Sequence, residues 1–281
     1  MAGKMTQPPK AEHWQVQGNA AELYERHLAR SMTSLWAEDL VARVSPQRGE
    51  RVLDVACGTG VVARTAAARV GDSGSVTGLD INRAMLAVAR ANWQGSPAIA
   101  FVEGSALALP FADGTHDVVL CQFGLQFFPD RARALGEMHR VLAREGRLGL
   151  SVFGPIEHNP ATFALAQALD HHLGTGASQT KRAEHVLAYA TLVHQLAADA
   201  GFRDITVTTE TKLIRLPSAA DYVEMQLTAT PLASVLTAQL ARPRVTEKIT
   251  ASVVEALAPY EVDGALEFPQ EAHVLLARTS S

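Results

Sequence analysis

The chain has 281 residues, 47% of them apolar and 19% charged, which is enough to bury a core in one large domain or in one domain with a substantial insertion. A net charge of −4 with no basic stripe argues against a nucleic-acid partner. Two cysteines, no long apolar run and a polar first ten residues argue against a disulfide framework, a zinc site, a membrane span and a secretory leader, so a cytoplasmic protein is expected.

In chain order, residues 1–18 are expected to form a mobile arm. From Asn19 to Val44 apolar residues recur at helical spacing (Leu23, Leu28, Leu35, Trp36, Leu40, Val41, Val44), with Asn19 as a cap. Arg51 to Val55 is the first expected strand, followed after Gly60 by a helix to about Val70. Ser75 to Leu79 is the second strand, ending in Asp80, with a helix from Asn82 to Asn92. Ile99–Val102 and His116–Cys121 are the third and fourth strands. A helix over Asp130–Leu142 and a turn at Glu145-Gly146 lead into the fifth, Arg147–Phe153.

Beyond Phe153 the pattern is less regular. Helices are expected over Thr162–Leu173 and Leu192–Ala200, then a strand over Phe202–Thr209, a helix capped by Ser218, helices near Leu232–Leu240 and Thr246–Leu257, and a last strand over His273–Arg278. Strands alternating with helices predict an α/β fold with a doubly wound, mainly parallel, seven-stranded sheet. Residues 19–210 and 269–281 would form that sheet domain. The segment 211–268, with 155–190, would be a helical cover over its ligand edge. The apolar residues of 211–268 suit a lid or a homodimer interface, and the lid is favoured because the segment precedes the last strand and returns to the sheet.

The chemistry gathers around Val52-Leu53-Asp54-Val55-Ala56-Cys57-Gly58-Thr59-Gly60, a strand, a tight small-residue loop and a helix start. Such a loop lets backbone approach a ligand, and the helix aims its free N–H groups there. Gly58 to Ala63 formally fits the dinucleotide pattern G-x-G-x-x-A. Asp54 opposes that reading, because a carboxylate beside a pyrophosphate repels it. It suits a cationic ligand such as the ammonium and sulfonium of S-adenosylmethionine. Its plainer role is to cap the loop through backbone N–H groups. Asp80, twenty residues after Gly60, stands where a carboxylate accepts from ribose hydroxyls; its plainer role is a cap for the next helix.

Together Val52–Gly60, Gly78-Leu79-Asp80, Gly104–Phe111, Asp117–Asp130 and Glu137–Leu150 resemble class I S-adenosylmethionine-dependent methyltransferases, in particular the ubiquinone/menaquinone-biosynthesis-like (methyltransferase type 11) group. The resemblance implies that Asp54 orients the methionine end of S-adenosyl-L-methionine and that Ala56, Cys57, Gly58 and Gly60 line the loop against it. It implies that Asp80 holds the ribose, that Ile81 packs on the adenine and that Ser105 and Ala106 approach the adenine edge. Cys121 and Gln122 would border the methyl group, and Tyr24 on the leading helix would cover the methionine end. Ala56 stands where many members have glycine, which is harmless if its backbone angles are ordinary. Ser105 replaces a usual aspartate, and Leu125-Gln126-Phe127-Phe128 lacks a histidine that relatives often carry.

The expected reaction is direct in-line methyl transfer to a small apolar or aromatic metabolite at O, C or N, with S-adenosyl-L-homocysteine as product and no metal. His158 and Glu157 are the base candidates. Phe123, Phe127, Tyr222, Met225 and Gln226 are candidate walls of the substrate pocket. The alternatives are a non-methylating S-adenosylmethionine-binding protein or cyclase of the same fold and, further off, an NAD(P)-dependent oxidoreductase.

Overall fold

The structure is a computed structural model that describes residues 19–230, 232–242 and 244–280; the arm expected over 1–18 lies outside them. The chain enters through α1 (Ala20–Leu23), a π-helical stretch (Tyr24–Thr33) and α2 (Ser34–Val44). It then runs β1 (Arg51–Val55), α3 (Val61–Val70), β2 (Ser75–Asp80), α4 (Arg83–Ala91), β3 (Ile99–Glu103), β4 (His116–Gln122), α5 (Arg131–Val141) and β5 (Leu142–Phe153). There follow α6 (Pro160–Leu173), α7 (Gln179–Ala183), α8 (Ala190–Asp199) and β6 (Arg203–Leu216). Next come α9 (Ala219–Ala229), α10 (Leu232–Val235), α11 (Thr237–Leu240), α12 (Val245–Leu257), β7 (Glu261–Val262) and β8 (Ala265–Arg278).

The sheet order is β3-β2-β1-β4-β5-β8-β6, with β1 to β5 joined in parallel and β8 antiparallel to both neighbours. The two-residue β7 pairs off this path with β8. Strand order reverses between β1 and β4, and an open α/β sheet binds its ligands at the carboxyl ends beside such a reversal.

Side-chain alternation along β1 explains the two-faced core. Leu53 and Val55 pack with Leu135 and Met138 of α5, whereas Val52 packs with Ala63 and Ala66 of α3. Every one of these is almost fully buried. Asp54 points to the α3 face, where a carboxylate needs a partner.

Three elements depart from the sequence reading. The leading helix is present, but its middle is π-helical, a geometry that recurs at functional sites. β5 begins at Leu142, directly after α5, and not at Arg147. β6 and β8 are each 14 residues long, so 211–216 and 265–268 belong to the sheet and not to the cover. Period-2 burial explains the extension: Ile214 and Leu216 face inward, while Leu213 before them is 60% exposed and Arg215 between them is exposed. With Leu266 and Phe268 they form the floor of a separate core shared with α6, α9 and α12. The cover therefore buries its apolar face within the chain. Of the apolar residues of 211–268, Leu213, Val235 and Val262 are the large ones left exposed among the described residues.

Candidate active site

The loop after β1 turns through three left-handed residues, Ala56 (φ 58°), Gly58 (φ 53°) and Gly60 (φ 83°). Ala56 is thus not in ordinary backbone geometry, and an L-residue there carries about 1–2 kcal/mol of strain. The two glycines differ in purpose. A Cβ on Gly60 would come within 2.9 Å of the Phe101 ring, so this glycine permits helix–sheet packing. A Cβ on Gly58 would meet nothing within 4 Å. Its open side faces a cavity.

Two carboxylates flank the loop. Asp54 Oδ2 accepts from the Ala63 N–H at 2.9 Å, in the first turn of α3. Asp54 Oδ1 is buried with no partner among the described residues. The cap and ligand roles thus fall on different oxygens of one side chain. Burial pushes its pKa well above the usual carboxylate range; nearby Asp80 adds to the rise, while the Ala63 N–H and Arg64 pull against it. Asp80 Oδ2 accepts from the Gly58 N–H at 2.8 Å and Oδ1 from the Asn82 N–H at 2.8 Å. Burial raises its pKa too, opposed by the N–H groups of Asn82, Gly58 and Ile81. The cap of α4 is Asn82, whose side chain accepts from Ala84 and Met85. Asp80 instead ties the loop to the end of β2.

Beyond the loop lie two adjoining cavities, of about 40 and about 320 Å³, which share Tyr24, Thr33, Ala56, Gly58 and Gln122 in their walls. Three buried polar atoms of residues lining the smaller one lack partners among the described residues: Asp54 Oδ1, Thr59 Oγ1 and Gln122 Oε1. The Gln122 amide is held in place by its Nε2, which donates to the Thr33 carbonyl at 2.9 Å. Buried polar groups are normally satisfied. A carboxyl oxygen, an amide oxygen and a hydroxyl fit a compact donor carrying positive charge, which favours the ionised carboxylate, better than they fit a phosphate.

The larger cavity has an aromatic wall. Phe123, just past β4, is left-handed at φ 53°, a genuine outlier for a bulky residue and a pattern of functional sites. Its ring stacks on Phe153 at 4.1 Å and meets the edge of Trp36 at 5.7 Å. Phe127 also lines the wall, and Tyr24, half-buried on the π-helical stretch, shares its hydroxyl with Thr33 Oγ1 at 3.3 Å. Burial raises the Tyr24 pKa, the Thr33 bond lowers it, and Glu25, Asp80 and Glu184 add smaller upward pushes.

Most of the sequence-predicted residues converge here. Tyr24, Ala56, Gly58, Asp80, Ile81, Ser105, Ala106, Gln122, Phe123, Phe127 and Gln226 line the larger cavity, and Asp54 and Cys57 line the smaller. The Ser105 hydroxyl also accepts from the Leu107 N–H at 3.2 Å, which spends part of its capacity on its own loop.

Six predicted residues do not line either cavity. Gly60 packs against Phe101. Cys121 alternates to the face opposite Gln122, is fully buried with Leu135 and Met138, and burial pushes its thiol up to about 12. Tyr222 and Met225 sit inside the cover's own core, Tyr222 with its hydroxyl on Thr162 at 3.4 Å. His158 lies outside, more than half exposed and bonded to Glu271 at 3.0 Å, and Glu157 beside it is exposed. Among the wall residues not singled out from sequence are Thr33, Thr59, Lys181 and Glu184. Thr59 sits in the quoted loop and was within reach of that reasoning; the others carry no motif.

A family model described as the ubiE/COQ5 methyltransferase family matches residues 24–174. Demethylmenaquinone methyltransferase from Anoxybacillus flavithermus is 38% identical over 132 residues, covering 46% of this chain and 53% of that protein. The chain spans about half the length of several such relatives. Phosphoethanolamine N-methyltransferase 2 from Haemonchus contortus, solved with S-adenosyl-L-methionine, superposes at a TM-score of 0.60 with 18% identity, over 93% of this chain and 57% of that one. The [4+2]-cyclase SpnF superposes at 0.54 with 21% identity, over 88% and 80%. At such identities these two structures show the shared fold alone. Among the described residues no helix is long and apolar enough to cross a membrane.

Proposed function

The chain belongs to the ubiE/COQ5 methyltransferase family, and from that premise we propose that it transfers a methyl group from S-adenosyl-L-methionine to a small, apolar, ring-bearing metabolite. A quinol is the acceptor class that the demethylmenaquinone methyltransferases among its relatives favour. The observation that carries the reading is the set of unpartnered buried atoms Asp54 Oδ1, Thr59 Oγ1 and Gln122 Oε1 around the smaller cavity.

Those three atoms would receive the α-ammonium of the cofactor. Gly58 leaves room for its backbone to come close, and a side chain there would fill the space. Asp80, anchored by two backbone N–H groups, keeps lone pairs for ribose hydroxyls, and Ile81, Ser105 and Ala106 border the adenine region of the larger cavity. The bound cofactor supplies a methyl group already activated by a sulfonium. The protein's task is to align the acceptor with it and to exclude water, and such positioning is worth about 7–11 kcal/mol of barrier.

The aromatic wall of Phe123, Phe127 and Phe153 holds a flat acceptor on the far side of the larger cavity. The cover closes over it as a lid, since its apolar residues are already packed within the chain. A pyrophosphate is disfavoured by the same acceptors and by the Asp54 carboxylate, which sets the nicotinamide alternative aside. The test is transfer of label from methyl-labelled S-adenosyl-L-methionine to a panel of quinols and naphthols. Labelled acceptor is expected; tight cofactor binding with no transfer to any ring acceptor would point to a non-methylating role.

A further inference from the structure

The family match ends at residue 174, yet the cover beyond it places a buried ion pair in the wall of the larger cavity. Lys181 is 2% exposed. Its Nζ donates to Glu184 Oε1 at 2.6 Å and to Gln226 Oε1 at 2.6 Å. All three residues line the cavity, together with Leu28, Met32 and Ala229. An ammonium has three donors, and two have partners among the described residues. Glu184 uses Oε1 for the pair, and Oε2 has no partner among the described residues. One donor and one acceptor thus remain on this residue pair in the cavity wall.

A buried ion pair contributes little net stability, and well-packed apolar residues often replace one without loss. Its presence in a ligand cavity calls for another reason. The complement of one spare donor beside one spare acceptor is a single hydroxyl group. A carbonyl or ether would engage the lysine alone, and an ammonium would engage the carboxylate alone. We propose that Lys181 and Glu184, steadied by Gln226, form the subsite that recognises a ring hydroxyl of the acceptor. The hydroxyl proton is donated to Glu184 Oε2, and the hydroxyl oxygen accepts from Lys181 Nζ. This rests on the methyl-transfer reading only for the identity of the ligand that fills the cofactor side.

The experiment measures binding of 1-naphthol and of 1-methylnaphthalene, a similar-sized ring without the hydroxyl, with and without S-adenosylhomocysteine. The wild-type protein should prefer 1-naphthol by roughly tenfold or more, as two hydrogen bonds to charged groups would give. Lys181→Met should weaken that preference. The double variant Lys181→Met, Glu184→Met, which removes the whole pair at similar volume and so keeps the fold testable if the single variant is unstable, should reduce it to within about twofold. No preference in the wild type, or an undiminished preference in the double variant, would overturn the assignment. Failure of S-adenosylhomocysteine to bind would instead overturn the methyl-transfer reading, while the naphthol comparison without it still decides the subsite.

Discussion

Replacing Asp54 with asparagine separates the two jobs that the structure gives its two oxygens. The amide oxygen can still accept from the Ala63 N–H, as Oδ2 does at 2.9 Å. The amide nitrogen then occupies the place of the unpartnered Oδ1. Fold stability should change by no more than about 1 kcal/mol, because no buried contact is lost and a desolvated charge disappears. Affinity for S-adenosylhomocysteine, which keeps the α-ammonium, should fall. A hydrogen bond between charged groups is worth about 1.5–3 kcal/mol, or roughly 10- to 100-fold in the dissociation constant.

The same residue predicts a proton linkage. Burial holds the folded-state pKa of Asp54 well above the usual value. Without ligand, its contribution to stability is fully present below the ordinary carboxylate pKa and is lost as pH rises through the raised folded value. A bound ammonium favours the ionised form, so binding releases a proton. Affinity should rise with pH through the raised pKa until the ligand's own ammonium deprotonates. Calorimetry in buffers of different ionisation enthalpy measures the release, and thermal melts measure stability. Unchanged affinity in Asp54→Asn, or no proton release in the wild type, would refute the ammonium site and leave Asp54 as a helix cap.

The neighbouring glycines should respond oppositely. Gly58→Ala should cost about 1 kcal/mol of stability through its left-handed backbone and lower S-adenosylhomocysteine affinity roughly tenfold or more by filling the cavity. Gly60→Ala, whose Cβ would crowd the Phe101 ring, should cost about 2–3 kcal/mol in a melt, with loss of the fold outweighing loss of affinity. Asp80→Ala removes the acceptor of the Gly58 and Asn82 N–H groups, so the free protein should lose about 2–4 kcal/mol and ligand affinity should drop with it. His158→Ala should leave both adenosyl-ligand affinity and turnover within about twofold, since its ring lies outside the cavities on Glu271.

The parallel strands were legible because each is a short apolar run closed by a turn, and the reversal between β1 and β4 was implied by their alternation with helices. The cofactor-side residues were legible because they lie on contiguous loops at strand ends: Asp54 to Gly58, Asp80-Ile81, Ser105-Ala106 and Gln122-Phe123. Cys121 shows where that reasoning failed: it stands one residue from Gln122, and one residue in a strand is the opposite face. The base candidates failed for a related reason. His158 follows β5 at the ligand edge in sequence, but the Gly154 N–H bonds to the Glu271 carbonyl at 3.1 Å and His158 pairs with the Glu271 side chain, away from the cavity. Lys181 and Glu184 were hidden because their short helix has no periodic pattern and reaches the cavity only through the tertiary packing of α6, α7 and α9. The long arms of β6 and β8 were hidden because their alternation serves the cover's core and not the main sheet's two faces.

The most direct measurement is a parallel titration of the purified chain with S-adenosylhomocysteine and with NAD. Saturable binding of S-adenosylhomocysteine at one site per chain, with no detectable binding of NAD, is the result expected from three unpartnered polar atoms, one of them an oxygen of the buried Asp54 carboxylate. Binding of NAD in preference to the adenosyl ligand would contradict the cationic-ligand site and with it the methyltransferase account.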